Sequence, residues 1–253
     1  IPSQFSQRVG AVDIDYNQYQ AGFYWSDEFR MHRNFTLGLG VRNELQSRID
    51  DKVNLMPRIG FTLAPWGSQT TAIRGGYGLF YDWYDSGLYE QTLRLDGVST
   101  RDIRVSDPGY PDPFSGGVLQ AARASGRTQA HEDLVMPRVH QASISMDRQM
   151  FPNMTLQTSY TMLRGRNQMR SRNINVPVNG VRPNPAFGDI TQFQSSRRSQ
   201  RDRFNVVAKF RIPSRQMMLR FQYTLGQEKN HADGSTSLPS NNLNPDVDWG
   251  PSR

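Results

Sequence analysis

Phe35-Thr36-Leu37-Gly38-Leu39-Gly40-Val41-Arg42-Asn43-Glu44-Leu45 decides the fold class of this chain. Successive side chains of an extended backbone point to opposite faces. Here one face collects Phe35, Leu37, Leu39, Val41 and Leu45, and the other collects Thr36, Gly38, Gly40, Arg42 and Glu44. The same pattern runs from Met56 to Ala64, from Thr70 to Tyr84 with Phe80 on the wrong side, from Met154 to Met162, from Phe204 to Ile212 with Val207 as exception, and from Met217 to Leu225. Gln18–Arg30, Tyr89–Val98 and Val139–Met150 are weaker candidates, for a total of about eight to ten strands.

A soluble sandwich alternates too, because one face of each sheet meets a core. Two features point to a membrane barrel instead. Most of these runs are nine residues or longer, where soluble strands cluster near ~5–6 and tilted membrane strands need ~9–11. The connections also alternate in length. Pro65–Gln69, Phe151–Asn153 and Pro213–Gln216 are tight turns, whereas Gly165–Asp189 and the segment from Gln227 onward are long and polar, matching short periplasmic turns and long extracellular loops. Whether Gly97–Arg138 crosses the membrane stays open. Trp66 and Phe151 at the turn end, and Tyr81, Trp83 and Tyr84 at the loop end, suit either membrane-interface belts or the edges of a core. Gly38, Gly40, Gly60, Gly76 and Gly78 fall on the polar face, which fits either close packing inside a lumen or strand curvature.

Composition narrows the classes. The 253 residues are 36% hydrophobic, mean hydropathy is −0.68, and no apolar run approaches the ~18 residues of a spanning helix. There is no cysteine for a disulfide or thiolate zinc site. The net charge of +7 is carried mostly by arginine and would suit nucleic acid, anionic headgroups or an acidic ligand alike. His32, His131, His140 and His231 stand far apart in no catalytic or metal motif, so no catalytic residue, metal or cofactor is expected. His231–Gly234 reads as loop, and Asp107–Pro113 as a rigid turn rather than a calcium loop. Candidate ligand contacts are Trp83, Tyr84 and Tyr110, whose rings could stack on a sugar, and Arg197 and Arg198. Those two belong to a cluster with Arg201 and Arg203, and a second cluster holds Arg164, Arg166, Arg170 and Arg172; the two flank the Gly165–Asp189 excursion and suit phosphates of lipopolysaccharide or another anionic ligand, or else form a solvated loop base.

Ordered blocks carry a resemblance: Asn34–Arg42, Asn54–Phe61, Ala64–Gly67, Ile73–Asp82, Gln141–Gln149, Arg164–Arg166, Arg172–Asn175 and Arg182–Gly188. Together they resemble the barrel of Oar-like TonB-dependent receptors. The resemblance implies an all-β, antiparallel transmembrane barrel closed around an amino-terminal plug, often preceded by a carboxypeptidase-regulatory-like domain and opened through the TonB complex. On this reading residues 1–253 are part of the barrel domain, truncated at both ends, with no plug present. The implied function is binding and import of a nutrient, such as an oligosaccharide, peptide or chelated metal, across the bacterial outer membrane. Expected partners are outer-membrane lipid and lipopolysaccharide, the TonB complex through the missing plug region, and an unidentified substrate, but not nucleic acid. The competing readings are a passive porin or structural outer-membrane protein, and a soluble, basic, β-rich nucleic-acid-binding module.

Overall fold

The computed structural model describes residues 3–10, 13–65, 70–115, 118–119, 126–231 and 234–252. In chain order the elements are β1 (Gln4–Gly10), β2 (Gln20–His32), β3 (Phe35–Gln46), β4 (Asn54–Leu63), β5 (Thr71–Tyr81), α1 (Ser86–Arg94), β6 (Thr100–Ser106), β7 (Val118–Leu119), β8 (Arg127–Ala130), β9 (Arg138–Phe151), β10 (Met154–Asn173), β11 (Ile190–Ile212), β12 (Met217–Asn230) and β13 (Gly250–Pro251). Eight of them, each 10 to 23 residues long, form an antiparallel meander in the order β2-β3-β4-β5-β9-β10-β11-β12. The sheet does not close on itself, with β2 at one edge and β12, extended by β13, at the other. This is a partial β-barrel wall.

Register shows why the alternation matters. Directly paired residues lie on one face, so cross-strand pairs trace rows around the wall. One row runs Phe29, Leu37, Phe61, Gly75, Ile144, Tyr160, Phe204, Leu225. The row behind it runs Glu28, Gly38, Gly60, Gly76, Ser143, Thr161, Arg203, Gly226. A single offset of register would mix the two. Gly75 interrupts the apolar row without leaving a gap, because the Phe61 ring covers it; a Cβ there would lie 2.4 Å from that ring. Phe23, Phe221, Tyr223 and Leu225 are 67, 61, 63 and 61% exposed, an apolar surface suited to hydrocarbon rather than water.

The misfits resolve on the inner face. Phe80 lies over Gly78, where a Cβ would come within 2.8 Å of the ring, and the Arg58 guanidinium stacks 4.6 Å from its centroid. Val207 is 2% exposed.

The connections 33–34, 64–70, 152–153 and 213–216, all short, fall at one end; the long ones, 82–137, 174–189 and 231–249, gather with the short 47–53 at the other. Two expectations change, and the open Gly97–Arg138 region finds its place. Tyr89–Val98 is not a strand; α1 occupies most of it, started by Asp85, whose side chain accepts from the amides of Gly87 and Leu88, an N-cap. Among the described residues of the Gly97–Arg138 region, none before Arg138, where β9 begins, joins the meander: β6 pairs with both β1 and β7 in a small separate sheet, and β8 pairs in parallel with the loop end of β11. The Gly165–Asp189 excursion is shorter than expected, since β10 continues to Asn173 and β11 begins at Ile190. Trp66 lies outside the described residues.

The wall has outward apolar residues instead of a core, and the core sits at the loop end. Ile49, Tyr84, Leu88, Leu134, Met136, Met169 and Phe193 bury one another, joining segments 47–53 and 82–137 to the tops of β10 and β11. Trp83 and Tyr81 pack against it, so these aromatics, with Tyr84, cover a loop core rather than belt the membrane.

Ile144 lies four residues from both His140 and Arg148 on the outer face of β9, near mid-band. Ile144→Arg should destabilise the barrel in lipid by about 2–4 kcal/mol, whereas Ser143→Arg, facing inward, should change little. Urea unfolding in detergent or liposomes, followed by heat-modifiable gel migration, measures both.

Candidate functional site

The loop core frames a cavity of about 500 Å3, lined among others by Gln18 and Gln20 before and at the start of β2, Asp82 to Ser86 after β5, Gln168 and Met169 of β10, and Arg197 of β11. Its position follows from how the chain leaves β5. The Gln46 side chain donates to the Tyr84 carbonyl at 2.7 Å and accepts from the Tyr84 amide at 2.8 Å, acting as a substitute strand partner. Gln18 donates to the same carbonyl at 2.9 Å, and the Tyr16 hydroxyl donates to the Ser86 carbonyl at 3.0 Å. Met136 donates its amide to Asp51 at 3.0 Å, and Ser195 and Val135 exchange two bonds. Three loops and two strand tops are thus tied around one hollow.

The 174–189 loop is held separately. Asn175 is 1% exposed, its Nδ2 reaching the carbonyls of Asn184, Phe187 and Gly188 and its Oδ1 accepting from the Asn184 amide. Arg182 donates to the Asn175 carbonyl at 2.6 Å and pairs with Asp189. The Arg172–Asn175 and Arg182–Gly188 blocks therefore clasp each other.

Beyond β12 the chain folds against the neighbouring strand tops. Arg170, 1% exposed, donates to the Pro245 carbonyl at 3.2 Å and to Asp248. His231 accepts at Nδ1 from the Arg198 amide at 3.1 Å, and Trp249 packs on its imidazole at 4.9 Å. Arg198 stacks over the other partner of this group, its guanidinium 5.6 Å from the Trp249 centroid. Burial and the nearby Arg170 and Arg198 hold the His231 pKa below the ordinary imidazole value, outweighing the Asp246 carboxylate.

Below the loops, the inner glycine row leaves a strip of wall without side chains. Gly38, Gly40 and Gly60, with Ser26, Glu28 and Arg58, line a hollow of about 530 Å3, and a Cβ at Gly38 or Gly60 would meet nothing closer than 3.6 Å.

A family model described as "Outer membrane beta barrel domain" matches residues 48–253. The chain belongs to that family. It is therefore an outer-membrane β-barrel protein, and the apolar face of its sheet is the lipid face. No curated protein matches the sequence. Among solved structures, the fold is similar to the outer membrane transporter YddB from Escherichia coli, with a TM-score of 0.62 and 16% identity over 85% of this chain and 25% of that one. It is also similar to the iron transporter FrpB from Neisseria meningitidis (TM-score 0.52, 11% identity, 84% of this chain and 25% of that one). A third is the siderophore receptor PirA from Pseudomonas aeruginosa (TM-score 0.51, 11% identity, 84% and 37%). The chain thus spans 25 to 37% of the length of these proteins.

Within the barrel, the expected contact residues divide. Trp83, Tyr84 and Arg197 line the loop-end cavity. Tyr84 is 1% exposed and acts chiefly as a core anchor; burial pushes its phenol up to about 12. Arg198 projects to the other side of β11 from Arg197 and meets Trp249 instead. Tyr110, 94% exposed, does not line the cavity. The arginine clusters lie on strands, not a loop base: Gln168 pairs with Arg197 and Arg164 with Gln200 across β10 and β11. Gln18, Gln20, Asp82, Asp85 and Gln168 were not legible as site residues, because isolated polar residues in loops or a mixed strand carry no pattern.

Two outcomes follow. Gln46→Leu leaves the buried Tyr84 amide without its acceptor, which costs about 1–3 kcal/mol and should raise hydrogen exchange at Asp82–Leu88. For His231 the folded pKa lies below the unfolded one, so its contribution to stability is complete above about pH 6.5 and is lost as pH falls through the folded value. Protection factors against exchange in residues 234–252 should fall below about pH 6.5, and His231→Asn should flatten that dependence.

Proposed function

We propose that the chain, residues 1–253, is one part of the barrel domain of a larger Oar-like TonB-dependent transporter. Its work is capture and passage of a nutrient such as an oligosaccharide, peptide or chelated metal, rather than catalysis. The observation that carries this reading is the combination of a lipid-facing wall with a polar, aromatic-lined cavity at its long-loop mouth. A passive pore needs no such built hollow at its entrance, and a soluble nucleic-acid binder needs no continuous outward apolar row.

The remaining strands, a plug and the TonB-contacting segment belong to the rest of the protein. The side-chain-free strip along Gly38, Gly60 and Gly76 gives a plug a place to approach the wall closely. Partners of the outer surface are membrane lipid and lipopolysaccharide.

Deleting the gene should abolish uptake of one such nutrient by intact cells, and removing TonB should abolish it equally. Uptake that survives loss of TonB assigns the protein to the passive pores.

A further inference from the structure

We infer that the loop-end cavity is a subsite for a neutral, hydroxyl-rich ligand, one pyranose unit of an oligosaccharide, stacked on Trp83 and hydrogen-bonded by the carbonyl oxygens of Gln18 and Gln168. This assignment rests on the transporter reading and selects one of its substrate classes.

The first observation is a pair of orphaned acceptors. Oε1 of Gln18 and Oε1 of Gln168 are buried with no hydrogen-bond partner, and both residues line the cavity. The orientation of the Gln18 amide is fixed, because its Nε2 donates to the Tyr84 carbonyl at 2.9 Å; the opposite orientation would set two oxygens against each other. A buried acceptor left unmade is costly, and a donor from outside the chain, a ligand hydroxyl among them, would complete each of these two.

The second observation is the chemistry around them. Asp82 and Asp85 stand at the exposed rim, Asp82 accepting the Trp83 amide at 3.0 Å and Asp85 the Gly87 and Leu88 amides at 2.7 and 3.2 Å, each through one oxygen. Acceptors thus outnumber the single cation, Arg197, which disfavours an anionic metal chelate or a phosphate. The deepest acceptors are neutral amides rather than carboxylates, which disfavours a cationic peptide, since a buried cation needs a charged partner. A sugar satisfies both conditions. Its hydroxyls donate to amide and carboxylate oxygens, and its C–H face packs on an indole, an apolar body with a polar edge. The volume, about 500 Å3, falls in the ~300–1,000 Å3 range of small-molecule sites.

The test uses the protein as its gene encodes it, purified from outer membranes, on an array of neutral glycans, followed by calorimetry with the best neutral hexaose. A ferric tris-catecholate and pentalysine serve as comparison ligands. The expected result is binding of a neutral glycan, weakened at least tenfold by Trp83→Ala and by Gln168→Leu, with Trp83→Phe retaining most of it. Heat-modifiable migration of each variant confirms a folded barrel. Absence of neutral-glycan binding, or binding indifferent to both substitutions in folded protein, overturns the assignment, as does preference for the chelate or pentalysine. Cellular uptake of the same hexaose is scored separately: a glycan that binds through Trp83 yet is never imported overturns the transporter reading and leaves the subsite standing.

Discussion

In hydrocarbon no water completes a hydrogen bond, so every backbone amide and carbonyl at that depth must find its partner in the chain. The unbroken antiparallel ladder from β2 to β12 meets that requirement strand by strand, and the rest of the architecture follows from it. Because pairing is continuous, side chains fall into rows, and each row must commit to lipid or to the interior. A fixed register then lets Phe61 fill the space at Gly75 and Phe80 the space at Gly78.

A wall built this way has no inside in the sense of a soluble domain. Its apolar side chains face outward, and the packing that usually stabilises a fold is displaced to the loop end, where Tyr84, Met136, Phe193 and their neighbours bury one another. That displacement also shapes the site. Loops that must be anchored to one another around an aromatic core, by groups such as Gln46 and Asn175, leave a hollow of defined shape rather than a fringe of loose chain. The cavity is a by-product of how the loops are tied down, and its polar lining comes from residues whose backbones are already committed.

The wall was legible in the sequence and the mouth mostly was not. Alternation in β3, β4, β5, β9, β10, β11 and β12 survives in the structure because lipid and lumen impose opposite demands on adjacent residues. Where the chain leaves the membrane that two-sided demand ends. The polar upper halves of β10 and β11 read as loop because both of their faces meet protein or water. Tyr89–Val98 read as strand because its spacing is ambiguous, although Asp85 followed by Ser86-Gly87-Leu88, with Glu90 four residues before Arg94, carried helix signals. Trp83 and Arg197 were identifiable by residue type, whereas the amide pair of Gln18 and Gln168 is joined only by the fold.

β10 and β11 outrun the hydrocarbon. From Asp202, where the lipid face of β11 turns polar beside Arg164 and Tyr160, the strand continues for another twelve residues to Ile190, roughly 40 Å of extended backbone measured along the strand. This hairpin stands above the headgroups as a rigid parapet, braced by the Asn175 clasp at its crest. Anything that approaches the membrane from the loop side would meet that ledge before it met lipid.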